Sequence, residues 1–173
     1  MGTKIKGQEA TFLFDTKNYD AGFGSLIMTA YYNVLMDKKT RSVYINAVNS
    51  YFSDFENKKL NRKDKKSVKK YGKSKAEISW GLMKGSTTNY GTADICFGYT
   101  FKNKSPYFTI TVYPTINQKR YTDDVAPEQS MMLNYYLTKA QSRELAEFLT
   151  EENLMSLFDE SLPRVINVEN DDY

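Results

Sequence analysis

No histidine occurs among the 173 residues. That absence excludes Ser-His-Asp and Cys-His nucleophilic catalysis, histidine acid–base chemistry and every metal site that needs imidazole. Cys96 is the single cysteine. Without an internal disulfide or a zinc cluster the fold must hold by packing, in a compartment that is reducing or indifferent to redox state. The sequence also lacks G-x-x-x-x-G-K-[ST], C-x-x-C, H-E-x-x-H and G-x-S-x-G. Gly22 and Gly24 have no third glycine in a strand-to-helix unit, so they read as a turn. The first ten residues hold no apolar run long enough for a signal peptide or membrane helix, which leads to the expectation of a soluble, cytoplasmic protein that does not enter the membrane. Acidic residues fall mostly in helix starts, turns and the tail. The adjacent pair Asp123 and Asp124 lacks a third carboxylate at strand or helix spacing, and a nuclease site there is a distant third reading. The expectation is therefore no enzyme, no cofactor and no metal.

Aromatic residues are abundant, with 14 Tyr, 10 Phe and Trp80 making up 14% of the chain. A residue with a flat apolar body and a polar tip suits a β-rich protein with a binding surface. With 40% hydrophobic residues, the chain has material for one compact core.

Charge is segregated behind a net value of +3. Residues 58–75 carry ten cations, Lys58, Lys59, Arg62, Lys63, Lys65, Lys66, Lys69, Lys70, Lys73 and Lys75, against Asp64 alone, a local net of +9. From Glu144 to Tyr173 nine acids oppose only Arg164, a net of −8. A block of this kind attracts phosphate backbones, and its preference for lysine over arginine favours point-charge contact over bidentate base reading. The plainer alternative is a solvated loop that keeps the protein soluble.

Elements follow from periodicity and turn residues. Residues 11–15 read as a strand, followed by a turn-rich loop, KNYDAGFG. The apolar run 26–36 fits a doubly covered strand or a short buried helix. Residues 41–48 are read as a strand paired with it through the DKKT turn, with a helical continuation toward Glu56. The lysine block, lacking apolar rhythm, reads as a long loop or partly disordered arm. Four further strands are expected at 76–84, 92–102, 107–115 and 130–137, forming an antiparallel meander. Phe108, Ile110 and Val112 should face the core, and Cys96 the less apolar side. Thr138 and Gln141 form a capping box for a helix, and Thr150 caps a second. The result is an α+β class: mainly an antiparallel meander with one or two C-terminal helices packed on it, in a single domain over 1–163, followed by a short acidic tail, 164–173.

The cationic block feeds directly into the strand of Trp80, and Tyr107, Tyr113 and Tyr136 lie in the meander beyond it. Cations along a groove and rings that stack on bases are the two sequence-tolerant means of holding a single strand. Trp80 shares a face with Ile78 and Leu82, so core is the competing role for that ring. Tyr107 and Tyr113, interleaved with threonines, are the better platform.

The ordered segments AEISWGLMKG, TADICFGYTFKN, PYFTITVYPT and SMMLNYYLTKAQSRELAEFLT resemble the strand-and-helix unit of Whirly-type single-stranded-DNA-binding proteins. The tail, Glu169 to Tyr173, is similar to those by which bacterial and phage single-strand binders recruit protein partners. It ends in Tyr where the bacterial tails end in Phe, and the lysine-rich strand signature of Whirly proteins is missing. The resemblance implies single-stranded nucleic acid as the partner, and the reading of the residues assigns its contacts to the ten cations with Trp80, Tyr107, Tyr113 and Tyr136. The alternative is a protein-interaction, inhibitor or ligand-binding domain without nucleic acid. A sheet with one helix layer also leaves a face that a homodimer could cover.

If the tail competes for the basic block, deleting residues 164–173 raises single-strand affinity at low salt; unchanged affinity in an anisotropy titration would remove the tail from the mechanism.

Overall fold

The computed structural model describes residues 2–5, 8–27, 29–84, 88–118 and 128–161. Among the described residues eight antiparallel strands lie in sequence order in one sheet: β1 (Gly2–Ile5), β2 (Gln8–Asp15), β3 (Asp20–Ile27), β4 (Ala30–Met36), β5 (Gly72–Leu82), β6 (Asn89–Lys102), β7 (Ser105–Val112) and β8 (Leu133–Leu137). Helix α1 (Lys38–Glu56) interrupts this order between β4 and β5, while α2 (Lys139–Phe148) and α3 (Glu151–Ser161) follow the last strand. The fold is α+β, an antiparallel meander with two helices at its C-terminal end.

The stretch read as a loop around Gly22 and Gly24 is instead strand β3, and only Thr16–Tyr19 turn, with Tyr19 at φ 56°. Glycine is required within β3 by crowding rather than by turning. A Cβ at Gly22 would lie 1.9 Å from the Val34 carbonyl oxygen of β4. The strand expected at 41–48 is also corrected, because the whole of Lys38–Glu56 is helical. Asp37 caps it by accepting the Thr40 N–H at 2.7 Å. Its buried residues Tyr44, Ala47, Val48 and Tyr51 recur at helical spacing, which outweighs the alternation of Val43, Ile45 and Ala47.

The sheet is strongly curled. Five strand spacings separate β3 from β8, about 24 Å if the sheet were flat. Yet Ser25 Oγ and Tyr135 OH lie 2.8 Å apart, and the Phe23 and Tyr135 rings meet edge to face at 4.9 Å. The inner face therefore wraps around its own aromatic core, and Phe23, Tyr32, Trp80, Phe97, Tyr99, Phe108 and Tyr135 are all buried. Trp80 is 1% exposed. Tyr44 of α1 packs edge to face on both Phe97 and Phe108 and donates from its hydroxyl to the Ser142 carbonyl of α2. Phe148 of α2 stacks on Phe12 of β2 at 4.5 Å. Burial pushes the Tyr51 and Tyr135 hydroxyls up to about 12, as expected for neutral phenols held in a desolvated core. The capping box at Thr138 and Gln141 is formed, with both hydrogen bonds in place.

The lysine block is not a free arm. Residues 57–71 form a folded connection with a single 3-10 turn at Ser67–Lys69, and Lys73 and Lys75 already belong to β5. The connection closes on β6, which outruns β5 because Gly72 pairs with Phe97. Tyr71 N–H donates to the Phe97 carbonyl, and the Tyr99 hydroxyl accepts from Asn61 N–H at 3.0 Å. At Gly98 a Cβ would sit 2.0 Å from the Ser67 carbonyl oxygen and 2.4 Å from the Val68 carbonyl carbon.

Gly98→Ala should cost at least about 1–3 kcal/mol, since backbone cannot yield there. Gly24→Ala, whose added methyl would meet the movable Asn33 amide and the end of the Leu13 side chain rather than backbone, should cost less. Urea unfolding of the two variants checks this, and limited proteolysis of Gly98→Ala should cut first within 58–66.

Candidate nucleic-acid interface

Alternation and register decide what the outer face of the sheet carries. Paired residues share a face, so Lys73, Cys96, Thr111 and Asn134 form one row across β5–β8. Lys75, Asp94 and Tyr113 form the next, with Tyr113 N–H donating to the Asp94 carbonyl. Gly98, Thr109 and Tyr136 form a third, and Thr100 and Tyr107 a fourth. The connection 57–71 reaches this face at Gly98, bringing its lysines beside the rows.

Among the described residues two lysines sit over tyrosine rings on this face. Lys69 Nζ lies 5.1 Å from the Tyr113 ring centroid, and Lys102 Nζ 3.3 Å from that of Tyr136. The Tyr113 hydroxyl beside Lys69 holds its ammonium above the ordinary lysine range. Tyr107, Tyr113 and Tyr136 are all half-buried, presenting part of each ring to solvent. A groove of about 750 Å³ opens beside β5, lined among others by Lys39, Lys69, Lys73, Lys75, Cys96 and Tyr113. Lys69 also lines a neighbouring hollow of about 690 Å³ with Asp64, Lys65, Lys66, Val68 and Lys70.

The expected site residues divide three ways. Lys65, Lys66, Lys69, Lys73, Lys75, Tyr107, Tyr113 and Tyr136 gather at the outer face or its bordering hollows. Lys58, Lys59 and Lys63 are exposed along the connection, and Arg62 lies over Phe101 with its guanidinium 5.1 Å from the ring centroid. Two assignments are corrected. Trp80 is interior on the opposite face and offers no ring to a ligand. Lys70 is spent within the fold, donating to Asp54 at 2.7 Å while its Nζ lies 5.5 Å from the ring centroids of both Tyr71 and Tyr99. Lys39 and Lys102 were missed by sequence reasoning, because neither belongs to the 58–75 block and only the folding of α1 and β6 brings them in. Cys96 is 5% exposed, and desolvation pushes its thiol up, away from the reactive thiolate. Among the described residues no cluster of three or more Cys, Asp or Glu could hold a metal ion, and no helix is long and apolar enough to cross a membrane. Asp123, Asp124 and the tail 164–173 lie outside the described residues.

The hydrogen bond from Lys70, aided by the Tyr71 hydroxyl at 3.0 Å, holds the Asp54 carboxyl below its usual range. A carboxylate with a depressed folded-state value stabilises above its unfolded value near 3.9, and the contribution is lost as pH falls through the folded value. Asp54→Asn should therefore cost about 1 kcal/mol at pH 7 and progressively less as the pH is lowered below about 3.9, read from urea midpoints across that range.

No curated protein and no solved structure matches the chain significantly. A family model described as "Uncharacterised Treponema protein" matches residues 1–156, which is most of the chain. The chain belongs to that family.

Proposed function

We propose that this protein binds single-stranded nucleic acid without sequence preference, across the outer face of β5–β8. Lys65, Lys66, Lys69, Lys73 and Lys75 contact phosphates, with Lys58, Lys59, Arg62 and Lys63 at the margin, and Tyr107, Tyr113 and Tyr136 supply stacking. The observation that carries the reading is the pairing of cation with ring on one face: Lys69 over Tyr113 and Lys102 over Tyr136. A base arriving on either ring displaces an ammonium that is then free to meet the flanking phosphate. Stacking and charge neutralisation are thereby coupled at the same position. The strand order that underlies the Whirly resemblance is that of β5 to β8 followed by capped α2, which supports the same reading. A cytoplasmic location belongs with it.

A second reading, a protein-interaction domain without nucleic acid, is favoured by the opposite end of the sheet. Met83, Ile116, Met131 and Met132 are 50–67% exposed there. Exposed apolar side chains gathered near one end suit a protein partner better than a phosphate chain.

Fluorescence anisotropy of labelled single- and double-stranded oligonucleotides across a salt series separates the two. Single strands should bind preferentially, with log affinity falling by about 0.7 per engaged phosphate against log salt, about 3.5 for five contacts. Tyr136→Ala should weaken binding by about 1–3 kcal/mol while leaving that slope unchanged, and Lys73→Ala should lower the slope by about one contact. Salt-independent or absent binding would leave the protein-interaction reading.

A further inference from the structure

The groove beside β5 differs from the remainder of the basic surface because it has a wall. Lys73, Lys75, Asp94, Cys96 and Tyr113 form the sheet side, Lys69 overhangs from the folded connection, and the first turn of α1 closes the far side through Asp37, Lys39, Thr40 and Val43. We infer that this groove is a seat for a phosphate monoester, and, resting on the strand-binding reading above, that its occupant is the terminal phosphate of a bound single strand.

Its charges are already sorted. Both carboxylates are engaged within the fold, Asp37 by the Thr40 N–H at 2.7 Å and Asp94 by Lys75 at 3.0 Å. The Thr40 hydroxyl is engaged as well, within 2.8 Å of Ser74 Oγ and donating to the Lys75 carbonyl at 2.7 Å. Lys39 and Lys73 are exposed and have no carboxylate partner among the described residues, while Lys69 lies beside the Tyr113 hydroxyl and over its ring. Four ammonium groups against two carboxylates leave the lining at +2. A phosphate monoester carries close to −2 at neutral pH, whereas each phosphodiester within a strand carries a single charge. The match is thus to a chain end or a free monoester rather than to an internal linkage. Geometry agrees with charge, since the groove that Tyr113 and Lys73 line from the outer face is closed at the β5 margin by the first turn of α1. Lys39 becomes the far-side cation, a residue outside the lysine block that α1 alone brings to the groove.

The test uses the full chain and three single-stranded oligonucleotides of one sequence: unphosphorylated, 5′-phosphorylated and 3′-phosphorylated. One phosphorylated end should bind about tenfold more tightly than the unphosphorylated strand. Lys39→Gln with Lys73→Gln should erase that tenfold difference, while the unphosphorylated strand loses only the Lys73 contact and still binds, more weakly, through the rest of the face. Both side chains are exposed and without ion pairs among the described residues, so the double variant should fold, as circular dichroism would verify. Equal affinity for all three strands overturns the seat and leaves the strand-binding reading standing. A parallel titration with a nucleoside monophosphate, followed by calorimetry, separates the sources. Binding of the mononucleotide that is lost in the double variant, with no oligonucleotide bound, keeps the monoester seat and removes the strand; no binding by either ligand overturns both.

Discussion

The candidate site depends on a close backbone approach at Gly98. The space a side chain would occupy there is filled by the main chain of Ser67 and Val68, so the connection between α1 and β5 lies against β6 instead of swinging free. Tyr99, the next residue, fixes the same segment from the inner side by exchanging hydrogen bonds with Asn61 N–H and C=O. One strand thus holds the cationic connection from both faces at its unpaired extension beyond β5. Without that extension the lysines would have no fixed relation to the tyrosine rows, and a basic loop would be all that remained.

Holding so many like charges in a folded segment has an electrostatic cost, and their placement shows how it is limited. Lys70, partly sheltered, is given Asp54 and two aromatic faces. Asp64, the only acid in the block, accepts from Lys66 N–H in a local turn and lies 3.4 Å from the Tyr99 hydroxyl. Lys75 pairs with Asp94 on the neighbouring strand at a well-exposed position, where such a pair contributes little to stability. The remaining cations point outward, where water screens their repulsion. Their low mutual cost in water is also what leaves them available to an anion, because among the described residues no carboxylate partner has to be broken first.

The second half of the fold was readable because two independent signals agree in it. Alternation in β6 and β7 names one apolar face, and turn residues separate the strands at the right intervals; the capping box at Thr138 then marks the change of period. The first half misleads where the signals compete. Val43, Ile45 and Ala47 satisfy a strand while Tyr44, Val48 and Tyr51 satisfy a helix, and the decision falls to Asp37 and to the aromatic surface of Phe97 and Phe108, far away in sequence. Gly22 looks like a turn residue because its real cause, the Val34 carbonyl, belongs to another strand. The same limit governed the site. The lysine block was visible as composition, but its docking is set by Gly98, about thirty residues downstream, and Lys39 and Lys102 enter only through the tertiary fold.

The curl of the sheet explains why the aromatics separate into two populations. Bringing β3 against β8 demands large side chains that fill the enclosed space from both walls, and Phe23, Trp80 and Tyr135 meet that demand on the inner face. A residue recruited for this purpose is lost to solvent, whatever its chemical aptitude for stacking, which is why Trp80 drops out although it directly follows the cationic block. On the outer face Cys96, Thr109 and Thr111 are buried beside the docked connection, and Tyr107, Tyr113 and Tyr136 are left half-exposed around that contact. The rings that determine the shape and the rings open to a ligand are therefore set by one alternation, read on opposite sides of the same strands.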